Sequence, residues 1–204
     1  MPLDPLVKRK QAQRAEFFEN NAQLFAALVE QGQAPDTLFI SCSDSRVLPE
    51  HLTGSQPGEL FVLRNLANVV PPFGSGERAV GASVEYAARH LKVKHIVVCG
   101  HTDCGGIKAL DQQADQVHDP HLARWIEYAR PAQTQVDARG VTPEARHRSI
   151  VEQNILLQLK NLQTYNAVRQ ALQANELTLH GWVYDLSTGR ISYWDADANR
   201  FTSE

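Results

Sequence analysis

Two short apolar runs in this chain end in the same way. Thr37-Leu38-Phe39-Ile40 reads as a buried strand and runs out into Ser41-Cys42-Ser43-Asp44-Ser45-Arg46. His95-Ile96-Val97-Val98-Cys99 runs out into Gly100-His101-Thr102-Asp103-Cys104-Gly105-Gly106. Continuous apolar runs bounded by small polar residues are the pattern of strands buried on both faces, and such strands belong to parallel sheets covered by helices. Thiols, an imidazole, a carboxylate and a guanidinium then stand at strand exits, where open α/β sheets place their ligands.

The intervening sequence agrees with an α/β reading, a mostly parallel sheet flanked by helices. Residues 5–31 form a long helix with Phe17, Phe18, Leu24, Phe25, Leu28 and Val29 on one broad face, stopped by Gly32 and Pro35. Such a helix packs on its own domain or reaches to a partner. The strand at 37–41 is followed by a helical turn at Pro49, a strand at 60–64, a helix at 77–92, the strand at 95–99 and a helix from Gly105. Residues 120–172 are helical in at least two pieces, one starting at Thr142-Pro143 and interrupted at 163–166. The tail changes to period two: Leu177 to Tyr184 alternates, Ser187-Thr188-Gly189 turns, and Ile191 to Trp194 completes a hairpin at a sheet edge. One domain over 1–204 is expected, with an arm at 1–35 and an α/β core at 36–204.

Composition narrows the function. At 204 residues and 43% hydrophobic content the chain can bury a sizeable core. A net charge of −3 offers no basic surplus for nucleic acid. No apolar run approaches the roughly 20 residues that cross a bilayer, and Met1 to Arg14 lacks the features of a secretory leader. Three cysteines are an odd count, two of them inside polar motifs, which suits free thiols in a cytoplasmic compartment.

His101 and Cys104 are spaced by one helical turn and can face one point, although such a pair also arises by chance. Cys42 lies 59 residues earlier and exits a neighbouring strand. Cys, His and Cys at two strand ends suit Zn²⁺, with three protein ligands leaving a fourth position free. Cys99 continues an Ile-Val-Val run and reads as a small buried hydrophobe. Asp44 is the candidate fourth ligand. Elsewhere Asp44 and Arg46 would be an ordinary surface pair; beside a metal, Arg46 keeps the carboxylate ionised against burial. Zn²⁺ with two thiolates and a neutral imidazole sums to zero charge, a weaker acidifier of water than a three-histidine site, so further groups must orient the nucleophile.

These residues resemble the zinc signature of the β-class carbonic anhydrases, and the similarity extends along most of the chain. It includes Pro57 to Phe61, Arg64-Asn65, Val70-Pro71-Pro72, Gly81 to Tyr86 and His180 to Tyr184. The middle resembles plant-type members, and the start and tail resemble bacterial members associated with cyanate metabolism. The resemblance implies reversible hydration of CO₂ by zinc-bound hydroxide, with one zinc per chain on Cys42, His101 and Cys104. It implies Asp44 and Arg46 as the dyad that orients hydroxide, and Gln33, Phe61, Leu66, Tyr86 and the Gly105 N–H as the substrate pocket. It implies a helical arm around a partner and a site at a dimer interface, in a homodimer or a dimer-based tetramer or octamer. A closed subclass places its aspartate on zinc and has a tryptophan, an arginine and a tyrosine around bicarbonate. Arg64 and Tyr184 match that set, but Phe39 stands at the tryptophan position, and with Gln33 this favours the open subclass.

Two other readings compete: a carbon disulfide or carbonyl sulfide hydrolase on the same scaffold, and a non-catalytic zinc or bicarbonate scaffold closed by Asp44. His51, His90, His95, His118, His121, His147 and His180 are available for proton transfer, and the sequence selects none.

Overall fold

The computed structural model describes residues 5–112 and 119–203, with side chains from residue 13 onward. His118 lies outside the described residues. The strands among the described residues are β1 (Thr37–Cys42), β2 (Leu60–Asn65), β3 (His95–His101), β4 (Thr178–Tyr184), β5 (Ile191–Asp195) and β6 (Arg200–Ser203). They form one sheet in the order β2-β1-β3-β4-β5-β6. The first four are parallel, and β5 and β6 are added antiparallel. The expected hairpin forms, but β6, not expected from the sequence, takes the edge position.

β1 and β3 sit at the centre and are buried along nearly their whole length, as their unbroken apolar runs require. On one face Leu38, Ile40, Ile96 and Val98 meet a large core that includes Val84, Ala87, Ile150, Val151 and Ile155. On the other, Phe39, Val97 and Cys99 pack with Leu60, Trp182 and Tyr184. Alternation therefore puts Cys99 on the opposite face from Cys42. Burial pushes the Cys99 thiol up to about 12, so it stays neutral, and the expectation of a strand hydrophobe holds.

The helices are α1 (Pro5–Asn20), α2 (Ala22–Gln31), α3 (Pro49–Thr53), α4 (Ala79–Glu85), α5 (Gly105–Lys108), α6 (Pro120–Ile126), α7 (Arg130–Ala138), α8 (Pro143–Leu162) and α9 (Asn166–Gln173). The single helix expected over 5–31 is broken at Asn21. Its side-chain Nδ2 donates to the Phe17 carbonyl at 2.8 Å, in competition with the backbone ladder. The helix expected over 77–92 starts at Ala79 and widens to a π-helical stretch over Tyr86–Leu91.

The longest helix, α8, lies directly on β3 and β4. A Cβ at Gly100 would come within 2.9 Å of Ile155 Cδ1, and one at Gly181 within 2.8 Å of Ile155 Cγ2. Glycine at these two strand positions is what lets the helix approach. The same helix carries buried amides. Gln158 accepts from the Val70 N–H at 2.9 Å and donates to Asn154 at 2.7 Å, and Asn154 donates to the Ala67 carbonyl at 3.0 Å. These bonds pin the loop after β2, where Ala67 and Asn68 adopt left-handed φ of 58° and 48°. That loop forms one wall beside the strand exits.

Candidate metal centre

The parallel register places Cys42 at the last position of β1, beside Asn65 of β2, and His101 at the end of β3. Cys104 follows after a tight turn and precedes α5. Their ligating atoms lie within 4.8 Å of one another, and all three residues are buried. The two Sγ atoms are 3.9 Å apart. Tetrahedral zinc with Zn–S near 2.3 Å sets its sulfurs about 3.8 Å apart, so the spacing fits the metal.

The imidazole supplies a second test. His101 Nδ1 lies 2.8 Å from the Thr102 carbonyl, which fixes that nitrogen as the N–H donor. Nε2 is therefore the lone-pair nitrogen. It is buried without a hydrogen-bond partner, and orphaned buried polar atoms are rare unless something binds them. The thiols point the same way. The hydrogen bond from Cys104 favours a thiolate at Cys42, while that same bond and burial hold the proton on Cys104. The pair thus gives up one proton readily and resists losing the second, until a cation takes both sulfurs. The Cys-His-Cys set fits zinc.

Asp44 sits at the rim, with its Oδ2 3.9 Å from His101 Nε2. Arg46 grips it in a fork: Nε donates to Oδ1 at 2.9 Å and Nη2 to Oδ2 at 2.8 Å, while the Arg46 backbone N–H adds 3.0 Å to Oδ1. These bonds hold the carboxyl well below the usual carboxylate range, and bidentate charge-assisted pairing is the strong form of this contact. Arg64, matched in the sequence to the bicarbonate pocket of the closed subclass, is engaged otherwise. It donates to the Cys42 carbonyl at 3.1 Å and the Asp44 carbonyl at 2.6 Å, bracing the turn between them.

The pocket residues expected from the resemblance divide into two groups. Leu66 follows Asn65 at the exit of β2; it is 44% exposed, and its carbonyl is fixed by Trp125 Nε1 at 2.9 Å. Gly105 opens α5 directly after Cys104. Both are beside the donor cluster. Phe61 and Tyr86 pack on each other, with centroids 5.8 Å apart, but Phe61 pairs with Leu38, four residues before Cys42 in the register. Four residues of strand span about 13 Å. Gln33 is exposed and precedes β1, whose first residue is five positions, about 16 Å, before Cys42. The chain does not bring Gln33, Phe61 or Tyr86 to its own cluster. Leu66 borders an open cleft of about 610 Å³ with Leu122, Trp125 and Tyr128, and the three donors do not line it.

One residue of the site, Asp103, gave no sign of its role in the sequence, and His147 was one of several histidines among which the sequence did not choose. Asp103, between His101 and Cys104, bonds Arg46 from the far side. His147 on α8 is half-buried, has an unpartnered Nε2 and feels Lys108, Asp103 and His101, with burial lowering its pKa. Its position three residues before Ile150, on the buried face of α8, was the available signal.

Comparison with known proteins agrees with this geometry. Residues 37–191 match the carbonic anhydrase family model. A carbonic anhydrase of Pseudomonas aeruginosa is 47% identical over 183 residues, covering 89% of this chain and 83% of that protein. Carbonic anhydrase 1 of Escherichia coli O157:H7 is 43% identical over 187 residues, covering 91% and 85%. The solved β-carbonic anhydrase CcaA superposes with a TM-score of 0.91 at 37% identity over 98% of each chain. One of two tetrameric β-carbonic anhydrases from Sordaria macrospora gives 0.82 at 32%, over 92% and 94%. Strand order, donor cluster and sequence all lead to one assignment: the chain belongs to the β-carbonic anhydrases, zinc-dependent enzymes that interconvert carbon dioxide and bicarbonate.

Proposed function

We propose that each chain holds one zinc ion on Cys42, His101 and Cys104 and hydrates CO₂ at a site completed by a second copy. The observation that carries the metal assignment is the buried, unpartnered Nε2 of His101 facing two sulfurs 3.9 Å apart. When bound, zinc supplies a Lewis acid that brings the pKa of water from about 15.7 toward about 7.

The chain's own groups do the rest. Asp44, kept ionised by Arg46, accepts the hydroxyl hydrogen of the attacking hydroxide and turns its lone pair toward the substrate carbon. A carboxylate that is already hydrogen-bonded on both oxygens is pre-organised for this. Leu66 and the Gly105 N–H stand on the substrate side. Gln33, Phe61 and Tyr86 of a second copy supply the amide donor and the apolar wall, which suits a small nonpolar substrate. The exposed Tyr86 and Leu66 beside the edge strand β2, and the tetrameric assembly of a relative, support a dimer-based homo-oligomer. The fork between Arg46 and Asp44 supports the open subclass, with the fourth metal position left to solvent. Free thiols as ligands favour a reducing cytoplasm.

Subunit mixing tests this directly. Gln33→Ala and Cys42→Ser variants are each expected to be strongly impaired. Co-refolded in equal amounts, half the dimers are mixed, and each mixed dimer carries one intact site of two, so roughly a quarter of the wild-type rate returns. Mixtures no more active than the mean of the separate variants would place Gln33 outside a shared site.

A further inference from the structure

The Asp44–Arg46 fork does not stand alone. The Arg46 side chain is 50% exposed on a turn, and an exposed ion pair by itself leaves both side chains free to move. Here the guanidinium is taken from its other side by Asp103, 57 residues away on the exit of β3. Arg46 Nη1 donates to Asp103 Oδ2 at 3.0 Å, and Nη2 reaches the Asp103 carbonyl at 3.4 Å. The second Asp103 oxygen is taken by Lys108 Nζ from α5. Asp44, Arg46, Asp103 and Lys108 thus alternate in sign along one chain of contacts across both strand exits. Asp103 has a φ of 60°, a left-handed conformation that residues other than glycine adopt uncommonly, with aspartate among those most tolerant of it.

We propose that Asp103, steadied by Lys108, is a positioning residue that keeps Arg46 on Asp44 and so keeps Asp44 off the metal. The inference rests on the functional reading above. Asp44 Oδ2 is 3.9 Å from the metal-facing nitrogen of His101, so a small rotation carries the carboxylate from Arg46 to the fourth coordination position. Three hydrogen bonds from Arg46 oppose that rotation, and the two from the guanidinium persist only while it stays in plane with Asp44. Asp103 fixes that plane at the third nitrogen. Removing the Asp103 charge also leaves Arg46 a stronger attractor for Asp44, but at these exposed positions solvent screens that gain, whereas the loss of alignment is not screened.

Asp103→Gly is the informative variant, because glycine removes the carboxylate and accepts φ of 60° without strain. It is expected to melt like the wild type and retain zinc, with kcat/KM for CO₂ lower by roughly tenfold, the scale of a modestly misplaced catalytic group. The cobalt-substituted variant, titrated with thiocyanate, is expected to show a weakened anion-induced absorption change, since Asp44 competes for the open position. Asp103→Asn keeps an oxygen acceptor for Nη1 and should restore most of both readouts. A glycine variant with wild-type turnover overturns the proposal. So does one with reduced turnover and unchanged thiocyanate affinity, because the loss then bypasses Asp44. If the wild type itself lacked CO₂ hydration, the functional reading would fail, and the thiocyanate comparison would still decide the role of Asp103.

Discussion

The C-terminal ends of β1 and β3 and the edge formed by β2 and its neighbouring π-helical stretch differ in kind. At the strand exits one chain completes everything it needs: three buried donors, a locked imidazole tautomer and a carboxylate held by a fork. At the edge the chain leaves Phe61 packed on an exposed Tyr86, about 13 Å along the strand from the nearest donor. Metal ligands must be fixed relative to one another within tenths of an ångström, which rigid adjacent strands provide. An apolar substrate wall has looser demands and can be lent across an interface. The contrast teaches that the metal half of the site is a property of the fold, while the substrate wall, on the function proposed above, is a property of assembly.

Breaking the first half has the largest expected effect. Cys42→Ala should lose the metal and lower CO₂ hydration by about a thousandfold or more, since water near its bulk pKa is a very poor nucleophile source. Metal analysis and stopped-flow hydration check this, and a variant that kept one zinc per chain would remove Cys42 from the ligand set. Breaking the second half is milder. Phe61→Ala is expected to keep zinc and lower kcat/KM by roughly tenfold, about the 1–3 kcal/mol worth of apolar contact in a pocket. Unchanged turnover would separate Phe61 from the substrate.

The loop that carries Leu66 links the two halves, and its anchor can be cut alone. Gln158→Ala strands the Val70 N–H and part of Asn154 in the core, at a cost of about 1–3 kcal/mol, read as a lower melting temperature at unchanged zinc content. Melting like the wild type would mean that water replaces the amide.

The smallest effect lies at the opposite end of the sheet from the metal. His180 Nε2 sits 3.2 Å from His95 Nδ1, and burial, then His95, lowers the His180 pKa below 6.5. The folded state therefore binds this proton less readily than the unfolded one. Stability is full above about pH 6.5 and declines as pH falls below it toward the depressed folded value. His180→Gln should flatten that decline slightly while leaving stability near pH 8 unaffected by the titration. Melting curves between these pH values would show whether the acid-side slopes differ.

Much of this was readable in the residues. β1 and β3 announced themselves as apolar runs, and the 59-residue separation of Cys42 from His101 made sense once both runs became adjacent strands. Cys99 was separable from the ligands because its neighbours are all core residues. Other features were hidden by their locality. The break at Asn21 depends on which carbonyl its amide finds, and an asparagine in a helix face gives no advance notice of that. β6 is too short and polar to signal a strand, and it forms because β5 offers an unpaired edge. Asn154 and Gln158 look like surface residues in a helical repeat; only the path of the 67–70 loop over α8 makes them core.

The sequence by itself determined the chemistry: which atoms can bind zinc, which carboxylate stands near them, and that both sit at strand ends, because donor type and strand period are local properties of the chain. Tertiary structure decided the partnerships. Register placed Leu66 and Gly105 beside the donors and Phe61 away from them, and a left-handed turn aimed Asp103 at Arg46. Those outcomes depend on distances between residues far apart in the chain, which only the packed sheet and α8 establish.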